Sequence, residues 1–165
     1  MFDWSVCLLG LGAICGIAVA TWIASLFKRD VSIVDSIWSV LIWAAGIVYV
    51  VTAPNVSVRA WLTIVLLTAW AVRLSVYITA RNWGQPEDRR YQRIRADYQP
   101  NFGVKSLYVV FLLQGMLAWI LSLPVLGAAR STAELGMLDI LGAALALFGF
   151  TFEAIADWQL SRFKA

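Results

Sequence analysis

Residues 137–160 read MLDILGAALALFGFTFEAIADWQL. The stretch is long enough to cross a bilayer, which takes about 20 largely apolar residues in a helix. Its only charged groups are Asp139, Glu153 and Asp157. Glu153 and Asp157 are four apart, so a helix puts both carboxylates on one face. An ionised group at membrane depth costs at least about 2.5–3.5 kcal/mol, so such a face turns toward protein or a wet cavity. The stretch therefore predicts a membrane helix with one polar face near one end, packed against other helices.

Working outward, four more spans of this kind are found. The five run over about 4–27, 31–53, 58–80, 106–127 and 137–160. The chain is 61% hydrophobic and only 14% charged over 165 residues, with nine tryptophans, and its mean hydropathy is +0.77. A soluble domain is about half apolar and a quarter charged. The fold class expected is all-α: a polytopic transmembrane helix bundle of five spans forming a single domain over 1–165. The lipid bilayer is its environment, and Trp fits where lipid meets water. Ala18-Val19-Ala20 resembles a signal-peptidase site, but no basic segment precedes the apolar run, so a retained helix is expected. Gly12 and Gly16, four apart, point to close helix packing in the first span.

The chain has no histidine, which removes the commonest general base and metal ligand. Cys7 and Cys15 are eight residues apart on one helix, about 12 Å along its axis, so they cannot pair. No metal site is visible.

Basic residues set the orientation. Lys28, Arg29, Arg81, Arg89, Arg90, Arg93, Arg95, Lys105, Arg162 and Lys164 follow spans one, three and five, whereas only Arg59 and Arg130 lie at the other side. This bias puts the N-terminus outside and loop 81–105 and the C-terminus in the cytoplasm. Asp35, Arg73, Gln114, Glu153 and Asp157 then fall in the inner half of their spans, with Tyr77 one turn below Arg73. They are expected to line a common polar cavity. The alternative is local pairing, Asp35 with Arg29 and Asp157 with Lys164.

Loop 81–105 is the one long polar segment, and in it arginines alternate with Tyr91 and Tyr98. Guanidinium forks match phosphate oxygens, which would suit a phosphorylated nucleotide. A plain basic loop touching anionic headgroups is the competing reading. Nucleic acid is not expected, because the arginines are few and close to the membrane.

Four stretches together resemble a known family: Asp30-Val31-Ser32-Ile33-Val34-Asp35-Ser36-Ile37-Trp38; Arg81-Asn82-Trp83-Gly84 with Glu87-Asp88 and Arg90-Tyr91; Phe111-Leu112-Leu113-Gln114-Gly115; and 149–160 with Arg162-Phe163-Lys164. In order and spacing, from about residue 28 onward, they resemble bacterial membrane proteins of unknown function related to steroid 5-alpha-reductases. The resemblance implies a bacterial inner-membrane reductase of seven helices with an NADPH pocket open to the cytosol. It gives Asp35 and Tyr77 the catalytic role of holding a substrate carbonyl, with Asp35 shorter than the family's glutamate. It assigns Arg81, Arg90, Tyr91, Glu153, Asp157 and Lys164 to the cofactor, whereas Arg73 and Gln114 belong to the polar cavity by their depth alone. Relatives continue into an Arg-His-Pro type motif and two further helices, so residues 1–165 are expected to hold about half a site and to be inactive alone.

The chemistry so implied is hydride transfer from NADPH to an enone-type double bond in a lipid-like substrate, with a protonated Asp35 donating a hydrogen bond to the developing enolate oxygen. Two other readings stay open: a membrane methyltransferase of the isoprenylcysteine carboxyl methyltransferase type, and a non-enzymatic small membrane subunit.

Overall fold

The computed structural model describes residues 3–164, with side chains to Phe163. Seven α-helices form: α1 (Trp4–Lys28), α2 (Ile33–Val51), α3 (Val58–Asn82), α4 (Arg89–Asp97), α5 (Phe102–Ser106), α6 (Leu113–Arg130) and α7 (Met137–Lys164). A π turn, Leu107–Leu112, joins α5 to α6, so Phe102–Arg130 forms one rod. Five helical rods among the described residues are long and apolar enough to cross a membrane. This is the all-α class expected from the sequence.

Local chemistry sets the ends of these rods. Asp3 caps α1 by accepting from the Val6 N–H at 3.2 Å, and Arg29 ends it in the left-handed region at φ 55°. Ser57 caps α3 through the Ala60 N–H at 3.2 Å. At the start of α7, Asp139 accepts from the Gly136 N–H at 2.8 Å and puts a negative charge at the positive end of the helix dipole.

Helices α1, α2, α3 and α6 make the body, with Ile14, Leu41, Ala45, Tyr49, Ile64 and Ala118 in its core. Side-chain hydrogen bonds join α2 to α3: Ser39 Oγ donates to the Ala71 carbonyl at 2.9 Å, Trp43 Nε1 to Thr68 Oγ1 at 2.9 Å, and Ser75 Oγ to the Ser36 carbonyl at 2.7 Å. Such bonds help hold helices together in lipid, where apolar contact alone does not distinguish protein from solvent. Trp119 Nε1 donates to the Cys7 carbonyl at 3.1 Å and joins α6 to α1.

The close approach in α1 is at Gly10, not at Gly12 or Gly16. A Cβ at Gly10 would lie 2.4 Å from the Tyr49 ring, whereas at Gly12 and Gly16 it would meet nothing within 4 Å. The Gly12/Gly16 pair lies on the outward face of α1, so its small-residue spacing has no helix to receive it.

Helix α7 stands apart from the body and touches chiefly α3. Polar contacts tie it there at two levels. Near its start, Arg59 donates to both oxygens of Asp139 at 2.6 and 2.8 Å, to Ser131 Oγ, and to the Glu134 carbonyl at 2.9 Å. Near its other end, Arg73 reaches Glu153 and Asp157.

Candidate functional site

The site lies at the end of the bundle that carries the basic residues, where three structural units meet: the last turns of α3, the last turns of α7, and the segment from Asn82 through α4. That segment is folded against the bundle. Glu87 Oε1 accepts from the Val31 N–H at 2.9 Å, and Arg95 grips both oxygens of Glu87 at 2.7 and 2.8 Å. Arg95 also lies over the Phe102 ring at 4.6 Å. Burial pushes the Glu87 carboxyl up, but the hydrogen bonds from Arg95 and Val31 outweigh it and hold the group below the usual value. Asp88 caps α4 through the Arg90 N–H at 2.9 Å. Tyr91, only 5% exposed, sits in a second core with Val31, Val34, Phe102 and Phe111.

This folding gives Asp35 its partners. Tyr91 Oη donates to Asp35 Oδ1 at 2.6 Å, and Arg90 Nη2 donates to Asp35 Oδ2 at 2.8 Å. Both carboxylate oxygens are engaged, so Asp35 faces Arg90 and Tyr91 of the folded loop. The donor of the pair is Tyr91, whose phenol is held well above its ordinary pKa, first by burial and then by its bond to Asp35. Asp35 does not pair with Arg29 either: the Arg29 carbonyl instead accepts from Arg95 at 3.3 Å.

A second cluster lies between α3 and α7. Arg73 Nη2 meets Glu153 Oε1 at 2.7 Å and Arg73 Nη1 meets Asp157 Oδ2 at 2.7 Å. The two carboxylates share a face and one guanidinium, as their spacing predicts. Trp70 Nε1 donates to Glu153 Oε2 at 3.1 Å, and the Phe150 ring lies 5.5 Å from the Arg73 guanidinium. One turn along α3, Tyr77 Oη donates to the Asp157 carbonyl at 3.3 Å.

The expected common cavity therefore resolves into two clusters. One joins Asp35, Arg90 and Tyr91; the other joins Arg73, Tyr77, Glu153 and Asp157. Gln114 belongs to neither: it is half-buried on α6 and has no hydrogen bond or ion pair with either cluster. The side chain of Lys164 lies outside the described residues.

Between the clusters a cleft of about 1080 Å³ opens at the basic end, lined by Ser32, Tyr77, Arg81, Arg89, Arg90 and Ser161 among others. Its cations differ in how fully they are engaged. Arg90 gives Nε and Nη2 to Asp88 and Asp35 and keeps Nη1. Arg81 touches only the Asn82 amide oxygen at 3.2 Å and the Tyr77 ring at 5.8 Å. Arg89 makes no hydrogen bond or ion pair with any described residue. Sequence reasoning missed Arg89 as a site residue, although its place beside Arg90 in a run of arginines was a usable signal. Phosphate-bearing ligands fit such a cleft, since planar guanidinium forks and a half-buried phenol line it.

No curated protein matches the chain, and no solved structure does. Residues 21–165 match the family described as "Protein of unknown function (DUF1295)", and the chain belongs to that family.

Proposed function

We propose that the chain forms the cofactor-facing part of a membrane-embedded, NADPH-dependent reductase of the steroid 5-alpha-reductase-like kind, acting on an enone-type double bond in a lipid-like substrate. The observation that carries this reading is the cleft at the basic end, lined by the unengaged Arg89, by the lightly engaged Arg81 and by Tyr77, whose ring Arg81 covers. At about 1080 Å³ it sits at the upper end of small-molecule sites, about 300–1,000 Å³, as a dinucleotide requires. The positive-inside bias turns this end toward the cytosol, where the cofactor is dissolved.

NADPH, when bound, supplies the hydride; the protein supplies position and charge. Arg81, Arg89 and the free Nη1 of Arg90 take phosphate oxygens. Asp35 is a positioning residue: by accepting from Arg90 and Tyr91 it holds the Arg90 fork at the rim of the cleft. Tyr77 is the donor for a substrate carbonyl. Its 3.3 Å bond to the Asp157 carbonyl is long against the usual O–H···O distance of about 2.7–2.8 Å, so the hydroxyl loses little by turning to a better acceptor. Once bound ligands exclude water, a neutral donor aimed at developing negative charge is worth about 10²–10³ in rate.

The test is a titration of the protein in nanodiscs with NADPH, followed by nicotinamide fluorescence. The expected result is a saturable, salt-sensitive enhancement that is stronger for NADPH than for NADH and weakens in Arg89→Ala. A signal that does not saturate at millimolar NADPH, or one indifferent to Arg89→Ala and Arg81→Ala alike, would overturn the reading.

A further inference from the structure

Behind the loop that walls the cleft lies a second polar space. It measures about 510 Å³ and sits where the end of α1, the start of α2 and the end of α3 meet. Lys28, Arg29, Ile33, Ile37, Thr79 and Trp83 are among its lining residues. Asn82, Gln85, Pro86 and Glu87 line both this pocket and the cleft, so one thin wall divides them. From the pocket a shallow groove follows α3 past Thr79 and Val76 to Ser75. Thr79 and Trp83 line both spaces, so pocket and groove are continuous. From Trp83 to Ser75 is eight residues, about 12 Å of helix at 1.5 Å per residue.

Three observations point to the ligand. The first is charge. Lys28 and Arg29 are exposed, and their side chains make no hydrogen bond or ion pair with any described residue. Of the two carboxylates beside them, Glu87 is neutralised by Arg95 at 2.7 Å, and Asp30 offsets only one of the two cations. The pocket keeps a positive charge, which an anion answers. The second is a pair of unmet donors on one face of α3. Thr21, Thr52, Thr63, Thr68 and Thr151 each donate to the carbonyl four residues back. The Thr79 hydroxyl makes no hydrogen bond with any described residue, and neither does the indole N–H of Trp83, a side chain left 78% exposed. Both suit a neutral acceptor. The third is direction. The groove leaves the basic end and runs into an apolar span, where Val76 is exposed. A soluble anion has nothing to lay along it, whereas an acyl chain does. Anion, neutral acceptor and apolar chain, in that order inward from the surface, are the parts of a glycerophospholipid. Tryptophan anchors at the level where lipid meets water, and basic pockets between helix ends take anionic headgroups.

We infer that the corner of α1, α2 and α3 is a binding site for one anionic glycerophospholipid. Its phosphate lies at Lys28 and Arg29, an ester carbonyl at Trp83 and Thr79, and the first part of one acyl chain along α3. The site does not rest on the reductase reading, since neither Lys28 nor Arg29 lines the cleft. Because the wall is shared, a lipid held here backs the loop that closes the cleft on that side.

The experiment is native mass spectrometry of the full chain released from detergent micelles, titrated with phosphatidylglycerol or with phosphatidylcholine of the same acyl chains. One phosphatidylglycerol should be retained about tenfold more tightly than phosphatidylcholine. Lys28→Gln combined with Arg29→Gln should abolish that preference. Arg93→Gln combined with Arg162→Gln removes the same charge from exposed residues outside the pocket and should leave it intact. Trp83→Ala should weaken both lipids and keep the preference. Equal retention of the two lipids, or equal loss of preference in both double variants, would overturn the site. Displacement of phosphatidylglycerol by millimolar inorganic phosphate would make it a soluble-anion site instead, and unchanged retention of both lipids in Trp83→Ala would overturn the placement of the ester and chain.

Discussion

The four-helix body and α7 are both built from apolar spans, yet they are held by different means. Half of the most apolar window of α2 is buried in protein, and none of that of α7 is. The body is joined by close packing and short interhelical hydrogen bonds, as where Gly10 lets the Tyr49 ring approach and Tyr49 Oη reaches Ser122 Oγ at 3.0 Å. Helix α7 is joined by two ionic clamps, Arg59 on Asp139 and Arg73 on Glu153 and Asp157. In lipid an apolar face gains little by leaving lipid for protein, so a helix with few close contacts needs polar ones to fix its place. The difference teaches that the seam between body and α7 is the adjustable part of the molecule. The candidate cleft opens on it, between Tyr77 of α3 and Ser161 of α7.

The sharpest way to break this comparison is Arg73→Ala. It leaves Glu153 and Asp157, both partly exposed, facing each other without a cation, at a cost below the about 3–5 kcal/mol of a fully buried pair. The expected result is a wider distance between spin labels at Ala80 and Ser161, with unfolding of the body unchanged. An unchanged label distance would mean that apolar contact holds α7 after all. The complementary change, Gly10→Ala, strikes the body and spares the seam. The added methyl would overlap the Tyr49 ring, and overpacking of this kind costs about 1–3 kcal/mol. Denaturant titration should show that loss, while Gly12→Ala should show none; because the sites are far apart, the Arg73 and Gly10 effects should add.

A smaller effect comes from pH, outside the membrane. The folded Glu87 carboxyl titrates below its ordinary value of 4.5. Its contribution to holding the loop against α2 is therefore complete above that pH and is lost as pH falls through the lower folded value. The protection factor of the Val31 amide, which Glu87 covers, should fall on acidification below about 4.5 and be low at all pH values in Glu87→Ala. Exchange at the Ala71 amide, in the body, should not respond.

What could be read from the sequence follows from the range of the interactions involved. The five apolar rods are local, set by runs of hydrophobic residues, and so is the shared face of Glu153 and Asp157, set by the helical repeat. That Arg73 would meet them followed from the cost of leaving it alone in a span. The partners of Asp35 could not be read this way. Arg90 and Tyr91 lie more than fifty positions along the chain and reach Asp35 only because Glu87, Arg95 and Phe102 fold α4 under the bundle. The same tertiary event turned a loop that looked like a solvated basic stretch into one wall of a cleft. Gly12 and Gly16 misled for a related reason: spacing reveals that a face is smooth but not whether another helix lies against it. Gln114 had suitable depth, yet depth does not say which neighbours a helix turns it toward, and it joins neither cluster.

The π turn at Leu107–Leu112 bears on how this span tolerates changes in chain length. A π turn is an α-helix with one residue too many in a single turn, its hydrogen bonds running to i+5. Deleting one residue between 107 and 112 would return that turn to α geometry and leave both flanks of the rod facing as they do now. The same deletion in the middle of α3 would rotate everything beyond it by about 100°, carrying Arg73 away from its carboxylates and Tyr77 away from the cleft. The fourth rod thus holds a spare residue that insertion or deletion can add or remove, and α3, which carries Arg73 and Tyr77, has none.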